Sequence, residues 1–426
     1  MVAAIAIFDE WSYYSVVFLS FPLKTSIFIY LMPKMISVAQ AIEKISYTTE
    51  KLDVVEASLL ESMSCCLAAD IYSPIDMPPF DQSAMDGYAI CGGSDEYLLK
   101  NEIKAGDMAE NVILSEGEAV RIFTGSIVPA GATAVVPQEI VEADEKMIRI
   151  SQSVQDAANI RKRGEEIAES ELVLSKGSVL NVAAIGFLSG LGISHVQIYR
   201  KPRIALAVTG NELIQPGQKL SPGKIYESNA ATIRTVLRCM GLESTVSFVR
   251  DDYMATKDCI SDAISNNDLI IATGGISVGD YDFVGKALSE LGVQEVFYKV
   301  NQKPGKPLYF GLKENKPIFA LPGNPAAALT CFYMYVLPTI RQMMGYDISF
   351  PLKQKAILKH NYFKKGTRAQ FSKANLEQGK VTITTKQSSS MLSSFIDANC
   401  LAFIPENVNE VPAGDEIEVY LIPTSL

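Results

Sequence analysis

The sequence predicts a multidomain α/β chain: a discontinuous helical domain with an inserted β domain, then a doubly wound α/β domain, then a C-terminal β barrel or sandwich. Three observations carry this. The chain has 426 residues, about three times the ~150-residue domain prior. From residue 201 onward, apolar strand-like runs alternate with amphipathic helical stretches at the spacing of βαβ units. Short β-type runs separated by Gly and charged turns fill residues 88–150 and return over residues 353–426.

Composition narrows the function classes. Apolar residues make up 48% and charged residues 20%, which fits cored domains and excludes a disordered chain. The net charge of −10 argues against a nucleic-acid binder, because coating phosphates needs clustered Lys and Arg. A local basic pocket for a small anion is compatible with it. Only two histidines occur, His195 and His360, so a His-rich zinc centre or a Ser-His-Asp hydrolase is disfavoured. The seven cysteines form no C-x-x-C pair and read as small buried hydrophobes of a reducing cytoplasm.

Element by element, residues 1–34 are an apolar, aromatic leader that lacks the basic start of a secretory signal. Pro22 and Lys24 interrupt its best apolar run, so stable membrane insertion is not expected, and Met35 reads as the native start. Residues 35–76 and 160–200 form the discontinuous helical domain. Two helices are expected over residues 37–69, the second carrying Leu59, Leu60, Met63 and Leu67 at helical spacing. The Pro- and Gly-rich stretch SPIDMPPFDQSAMDG demands extended or turn backbone and leads into the β domain, residues 77–159. Helical text resumes at VAAIGFLSGL. The α/β domain spans residues 201–347. PRIALAVT and DLIIAT read as parallel strands buried on both faces, PIFAL as a third, and a long apolar helix follows over residues 326–339. Residues 348–426 form a terminal β barrel or sandwich.

In an open α/β sheet, ligands bind beyond the carboxyl ends of the strands, so the residues there are the ones to read for chemistry. They are Gly210-Asn211-Glu212, Asp251-Asp252, the run from Gly274 and Gly275 through Ser277 and Gly279 to Asp282, and Pro322-Gly323-Asn324-Pro325. Glycine turns let backbone N–H groups approach an anion. Carboxylates beside a phosphate site imply a divalent cation such as Mg2+, which takes a few acidic oxygens and completes its shell with phosphate and water. Lys299, Lys303 and Lys306 supply the opposite charge on a loop stiffened by Pro and Gly. Each feature also has a plain structural reading: a tight turn for the glycines, a helix cap for Asp251 or Asp252, a solvated surface for the lysines. Asp81, Ser83 and Asp86 in the Pro-rich loop, Thr124, and the charged run from Arg161 to Glu166 suit either substrate positioning or ordinary turns.

The motifs PPFDQSAMDGYA, RIFTGSIVPAGATAVVPQE, NIRKRGEEI, AVTGNEL, TGGISVGDYDFV, KPGKP and LPGNPAAAL follow one another as they do in the MoeA-type molybdopterin molybdenumtransferases. The chain resembles that family over residues 36–422, and through it the E domain of gephyrin. The resemblance implies that the α/β domain binds molybdopterin, that the terminal domain is a β barrel, and that the protein is an elongated homodimer whose cleft draws on both subunits. It implies a reaction of adenylylated molybdopterin with molybdate and Mg2+ that releases AMP, with a molybdopterin adenylyltransferase as upstream donor. Carried over position by position, Asp86, Glu212, Asp251, Asp282, Lys299 and Lys303 form the catalytic set, and Glu212, Asp251 and Asp282 are the metal candidates. Thr124, Arg161, Gly274, Gly275, Ser277, Gly279, Lys306, Pro322 and Pro325 contact substrate, with Ser393 and Ser394 as weaker candidates. Glu166 and Asn211 depart from the Asp common at these positions in the family. Two other readings compete: a molybdopterin adenylyltransferase, which shares only the TGGISVG region, and a non-catalytic gephyrin-like scaffold.

Overall fold

The computed structural model describes residues 14–18, 29–33, 35–109, 112–276, 283–347 and 352–422. Of the leader, Tyr14–Phe18 and Ile29–Pro33 pair as antiparallel strands; its other residues lie outside the described set. The chain divides into two compact units, one holding residues 1–55, 64–66 and 198–426, the other residues 56–63 and 67–197.

The larger unit contains the α/β domain. Its elements in order are β1 (Ile204–Thr209), α1 (Asn229–Cys239), β2 (Ser244–Val249), α2 (Tyr253–Asn266), β3 (Leu269–Thr273), α3 (Phe283–Glu290), β4 (Gln294–Tyr298), β5 (Tyr309–Lys313), β6 (Lys316–Leu321) and α4 (Pro325–Cys331). The sheet order is β2-β1-β3-β6-β5-β4. β2, β1, β3 and β6 are mutually parallel. β5, for which the sequence reading has no strand, runs antiparallel between β6 and β4, so the doubly wound sheet is mixed rather than wholly parallel. Its register is set by a tight reversal at Glu314 and Asn315, both at positive φ.

β1 is buried along its whole length, as the unbroken apolar run IALAVT requires. Ile204, Leu206 and Val208 join one core with Ile233 and Leu237 of α1, while Ala205 and Ala207 join the other with Ile260 and Ile264 of α2 and Val284 and Leu288 of α3. Strand alternation thus assigns each residue to one of two helical layers. Helix Val38–Thr48 packs into the first of these cores through Val38, Ala41 and Ile45. Its start is fixed by a capping box in which Ser37 and Gln40 satisfy each other's backbone N–H. The long apolar helix is continuous over Pro325–Cys331, a π turn at Phe332–Val336 and Leu337–Met343. The wider turn accommodates Pro338, which has no N–H to give and whose ring would clash in a regular helix.

In the barrel, Ala369–Glu377, Lys380–Ile383, Lys353–Leu358, Glu416–Leu421 and Cys400–Ile404 pair in that order, and the last returns to the first. Closure leaves no free edge in the ring and encloses Leu358, Ala374, Val381, Ala402 and Val419. Gln302–Lys303, from the lysine loop of the α/β domain, adds parallel to Ala369–Glu377.

The smaller unit is built on a six-stranded sheet in the order Val141–Ala143, Met147–Ile150, Glu96–Ile103, Glu118–Ile122, Gly87–Ile90, Ala134–Pro137. A Cβ at Gly87 would meet the Val136 carbonyl oxygen at 1.9 Å, so only glycine fits that pairing. Short pairings of Ile71–Tyr72 with Leu172–Leu174 and of Gln82–Ser83 with Ile160–Arg161 join the segments before and after the sheet.

The second expected helix does not form. Val54–Ser58 is a strand and Leu59–Ser62 a single 3-10 turn. Ser64 has a left-handed φ of 61°. Backbone N–H groups that a helix would use internally bond elsewhere, Leu59 to Ser194, Leu67 to Ser178 and Ala68 to Gln197. The leucine spacing matches a helix, but long-range partners and the weak helix formers Ser62, Ser64, Cys65 and Cys66 decide otherwise. All seven cysteines are free. Among the described residues no helix is long and apolar enough to cross a membrane.

Candidate functional site

The chain reverses its direction of winding between β1 and β3, and a cleft of about 780 Å³ opens beyond the strand ends there. Gly210, Glu212, Asp251, Gly274, Gly275, Pro322 and Pro325 all line it, so the structure brings these predicted residues together. Gly274 has φ +85°, and a Cβ there would lie 2.5 Å from the Thr209 carbonyl oxygen. The β3 turn can therefore press against β1 only as glycine. Pro325 is the first residue of α4, where its missing N–H costs nothing.

Asp251 and Asn211 bond reciprocally. The Asn211 N–H donates to Asp251 Oδ2 at 3.0 Å, and the Asp251 N–H donates to Asn211 Oδ1 at 3.1 Å. Asparagine supplies the same acceptor that aspartate would, so its presence keeps this bridge while removing one negative charge from the cleft. Lys224 adds a hydrogen bond to the Asn211 carbonyl. Asp252, by contrast, caps α2 through the Ala255 N–H at 2.8 Å. The helix-cap reading holds for Asp252 and leaves Asp251 to the cleft. Ser277, Gly279 and Asp282 lie outside the described residues.

On the lysine loop, Lys299 sits at φ +79° with its ammonium 4.7 Å from the centre of its neighbour's ring, Tyr298. Lys303 is half-buried and Lys306 exposed. A fourth lysine joins them from outside the motifs. Lys373, on the barrel strand Ala369–Glu377, has no exposed surface. Burial, together with the charge of Lys303, pushes its ammonium down to about 8. Lys373 Nζ donates to the Ser388 carbonyl at 3.4 Å and lies 6.0 Å from the Phe395 ring centre. The serine run it touches docks on α4: the Ala327 N–H donates to Ser389 O at 3.1 Å and Asn324 Nδ2 to Ser389 Oγ at 3.3 Å. Ser390 thereby lines the cleft. Ser394, a candidate from the sequence, is spent on a hydrogen bond to Met391 O inside a short 3-10 helix, and Ser393 lies in the same helix. The signal for Lys373 is a charged residue on the same strand face as Ala369 and Phe371, opposite the barrel-facing Ala374, and that face is buried against the α/β domain.

The remaining candidates belong to the smaller unit. Asp86 and Thr124 are brought together: the Thr124 N–H and hydroxyl donate to Asp86 Oδ1 at 2.7 and 2.8 Å. Those two bonds hold the Asp86 carboxyl below the usual carboxylate range. Arg161 is exposed and paired in register with Gln82. The neighbouring charges are structural. Lys162 Nζ and the Arg163 N–H bind Asp81 at 2.8 and 2.9 Å, and Arg163 pairs with Asp76. Ser83 is buried and donates to the Met85 carbonyl at 2.7 Å. Glu166 is exposed and gives its backbone N–H to Met77 O.

Among the described residues no group of three or more His, Cys, Asp or Glu is arranged to hold a metal ion. Glu212 and Asp251 provide two carboxylates at the cleft, the number and chemistry Mg2+ uses when ligand phosphates complete its shell.

Family models match along the chain: the MoeA N-terminal region (domain I and II) over residues 36–192, a probable molybdopterin binding domain over residues 205–342, and the MoeA C-terminal region (domain IV) over residues 355–422. A molybdopterin molybdenumtransferase of Staphylococcus epidermidis is 33% identical, with 91% of this chain and 95% of that protein covered. One of Haemophilus influenzae is 34% identical over 85% of this chain and 92% of its own length. The crystal structure of the molybdopterin biosynthesis MoeA protein from Pyrococcus horikoshii OT3 superposes with a TM-score of 0.74 at 28% identity, covering 91% of this chain and 100% of that one. Matches at both ends, flanking the shared molybdopterin-binding fold, set the chain apart from compact adenylyltransferases. This chain belongs to the MoeA family of molybdopterin molybdenumtransferases.

Proposed function

We propose that the protein inserts molybdenum from molybdate into adenylylated molybdopterin, releasing AMP and molybdenum cofactor. The observation that carries this reading is the cleft at the β1/β3 switch point, where the Gly274-Gly275 turn, the Asp251–Asn211 bridge and the Pro322–Pro325 turn meet.

The chemistry calls for charge management rather than a protein nucleophile. The glycine turn offers close backbone approach to phosphate oxygens. Glu212 and Asp251 would hold Mg2+, which supplies charge neutralisation at the phosphoanhydride when bound. Asp251 has one carboxylate oxygen held by the Asn211 N–H, which fixes the orientation of the other. Lys303 and Lys373 stabilise the oxyanion charge of molybdate in surroundings from which water is largely excluded, where such contacts are strongest. Asp282, Ser277 and Gly279 complete the set by the family motif, Asp86 and Lys299 keep the catalytic role that the resemblance implies, and Lys306, Thr124 and Arg161 contact substrate. A homodimer belongs to the same reading. The exposed apolar helix Val182–Gly190, in which only Leu188 is buried, suits a face covered by a second copy. A cytoplasmic setting and an adenylyltransferase donor fit the same reading.

The test is to mix the protein with adenylylated molybdopterin, molybdate and Mg2+ and to measure AMP release and cofactor formation. Asp251→Ala is expected to abolish both while leaving the circular dichroism spectrum intact. Full activity in that variant would overturn the site.

A further inference from the structure

We propose that Glu227 reads the pterin ring: its carboxylate accepts hydrogen bonds from the adjacent ring N–H and amino group of the aminopyrimidinone edge. The inference rests on the function proposed above. No motif of the sequence points to Glu227, which precedes α1 and is only 5% exposed, yet lines the cleft. One of its oxygens, Oε1, accepts the Ala230 N–H at 2.7 Å. The other has no hydrogen bond and no ion pair among the described residues. A buried carboxylate without a counter-charge is expensive to keep unless something else supplies donors.

A second group on the same wall shows the same shortage. Asn229 also lines the cleft, and its Nδ2 donates to the Gly323 carbonyl at 2.9 Å, tying α1 to the Pro322–Pro325 turn. That bond fixes the amide so that Oδ1 is left enclosed and, among the described residues, without a donor. Acceptors without donors on one wall select for a ligand edge rich in N–H groups.

The two rings of adenylylated molybdopterin differ in this respect. Adenine flanks its single amino group with acceptor nitrogens, which a carboxylate repels. The pterin carries a ring N–H and an amino group side by side, the match for a carboxylate. Phosphate and molybdate oxygens are repelled by Glu227 as well. The carboxylate therefore selects the uncharged ring and leaves the anionic end of the ligand to the glycine turn and the lysines.

Glu227→Gln isolates this role. Glutamine retains an oxygen for the Ala230 N–H, and with it the start of α1, but turns the free oxygen into an amide donor. The expected result is a rise of roughly tenfold or more in the Kd and KM for adenylylated molybdopterin. kcat, the Kd for AMP and the thermal midpoint should stay near those of the unsubstituted protein. Glu227→Asp, which keeps the charge at shorter reach, should lose less affinity than the glutamine variant. Unchanged affinity in Glu227→Gln would show a purely structural carboxylate and overturn the assignment. An equal loss of AMP affinity would overturn it too, by placing the carboxylate at the adenylate. Failure of the unsubstituted protein to bind adenylylated molybdopterin would instead remove the function on which the assignment rests, and the assignment with it.

Discussion

Replacing Lys373 tests whether the fold keeps an unfavourable buried charge for the sake of anion binding. Its ammonium is pushed from 10.5 to about 8 by burial and by Lys303, a preference for the neutral form of roughly 3 kcal/mol. The unfolded chain keeps the proton until its ordinary value, so the folded state binds fewer protons between about 8 and 10.5. Stability contributed at this position is therefore lowest below about pH 8 and rises toward pH 10. Lys373→Met, which fills similar space without the charge, should be more stable than the parent at pH 7 by up to ~3 kcal/mol. It should also lose about 100-fold in AMP release, as when one oxyanion donor is removed. In the parent, the protonated fraction falls from about nine-tenths at pH 7 to about one-tenth at pH 9 for a group titrating near 8. Molybdate affinity should fall by a similar factor over that range. The assay is molybdate titration calorimetry and AMP release between pH 6.5 and 9.5, with denaturant melts at pH 7. Lys373→Arg should carry the alkaline limb out of the range, and Lys373→Met should show a flat, weak profile. A limb near pH 8 that survives in both variants would refute the reasoning, as would a methionine variant less stable than the parent.

Gly274→Ala places a methyl 2.5 Å from the Thr209 carbonyl oxygen at a left-handed φ; it should cost about 2 kcal/mol or more in stability and abolish substrate binding, read by melts and calorimetry. Asp268 is pushed up by burial, but hydrogen bonds from Arg200 and Arg203 outweigh that and hold it well below the usual range. Its stabilisation is present above the ordinary carboxylate value near 4 and is lost as pH falls through and below it. Asp268→Asn should lower stability at pH 7 by about 3 kcal/mol and flatten the acid limb of the melting curve. Val182, 75% exposed on the apolar helix, is expected to lie at the subunit contact; Val182→Glu should shift the protein to a monomer in sedimentation, and an unchanged dimer would place the contact elsewhere.

Much of the cleft was legible because its parts are local in sequence. Gly274-Gly275, Asp251 and Pro322–Pro325 each follow directly on an apolar run, and a run buried on both faces is readable from composition alone. The parts that were missed depend on partners far along the chain. Tyr309–Lys313 looks unremarkable until it pairs with Lys316–Leu321. Leu59, Leu60, Met63 and Leu67 hold helical spacing, but their segment donates its backbone N–H groups to the carbonyls of Ser178, Ser194 and Gln197. Asp251 and Asp252 are neighbours with opposite fates, one bridging to Asn211 and the other capping a helix.

The sequence by itself determined the family, the α/β class of the central domain and the strand ends where chemistry sits, because motif order, hydrophobic period and glycine turns are properties of neighbouring residues. Only the tertiary structure decided that Ser390 lines the cleft, that Lys373 is buried beneath the same serine run, and that Glu227 lines the cleft with one carboxylate oxygen unbonded among the described residues. Burial and charge environment arise from residues brought together across tens to hundreds of positions, and those quantities, not residue type, make an ordinary lysine or glutamate a functional group.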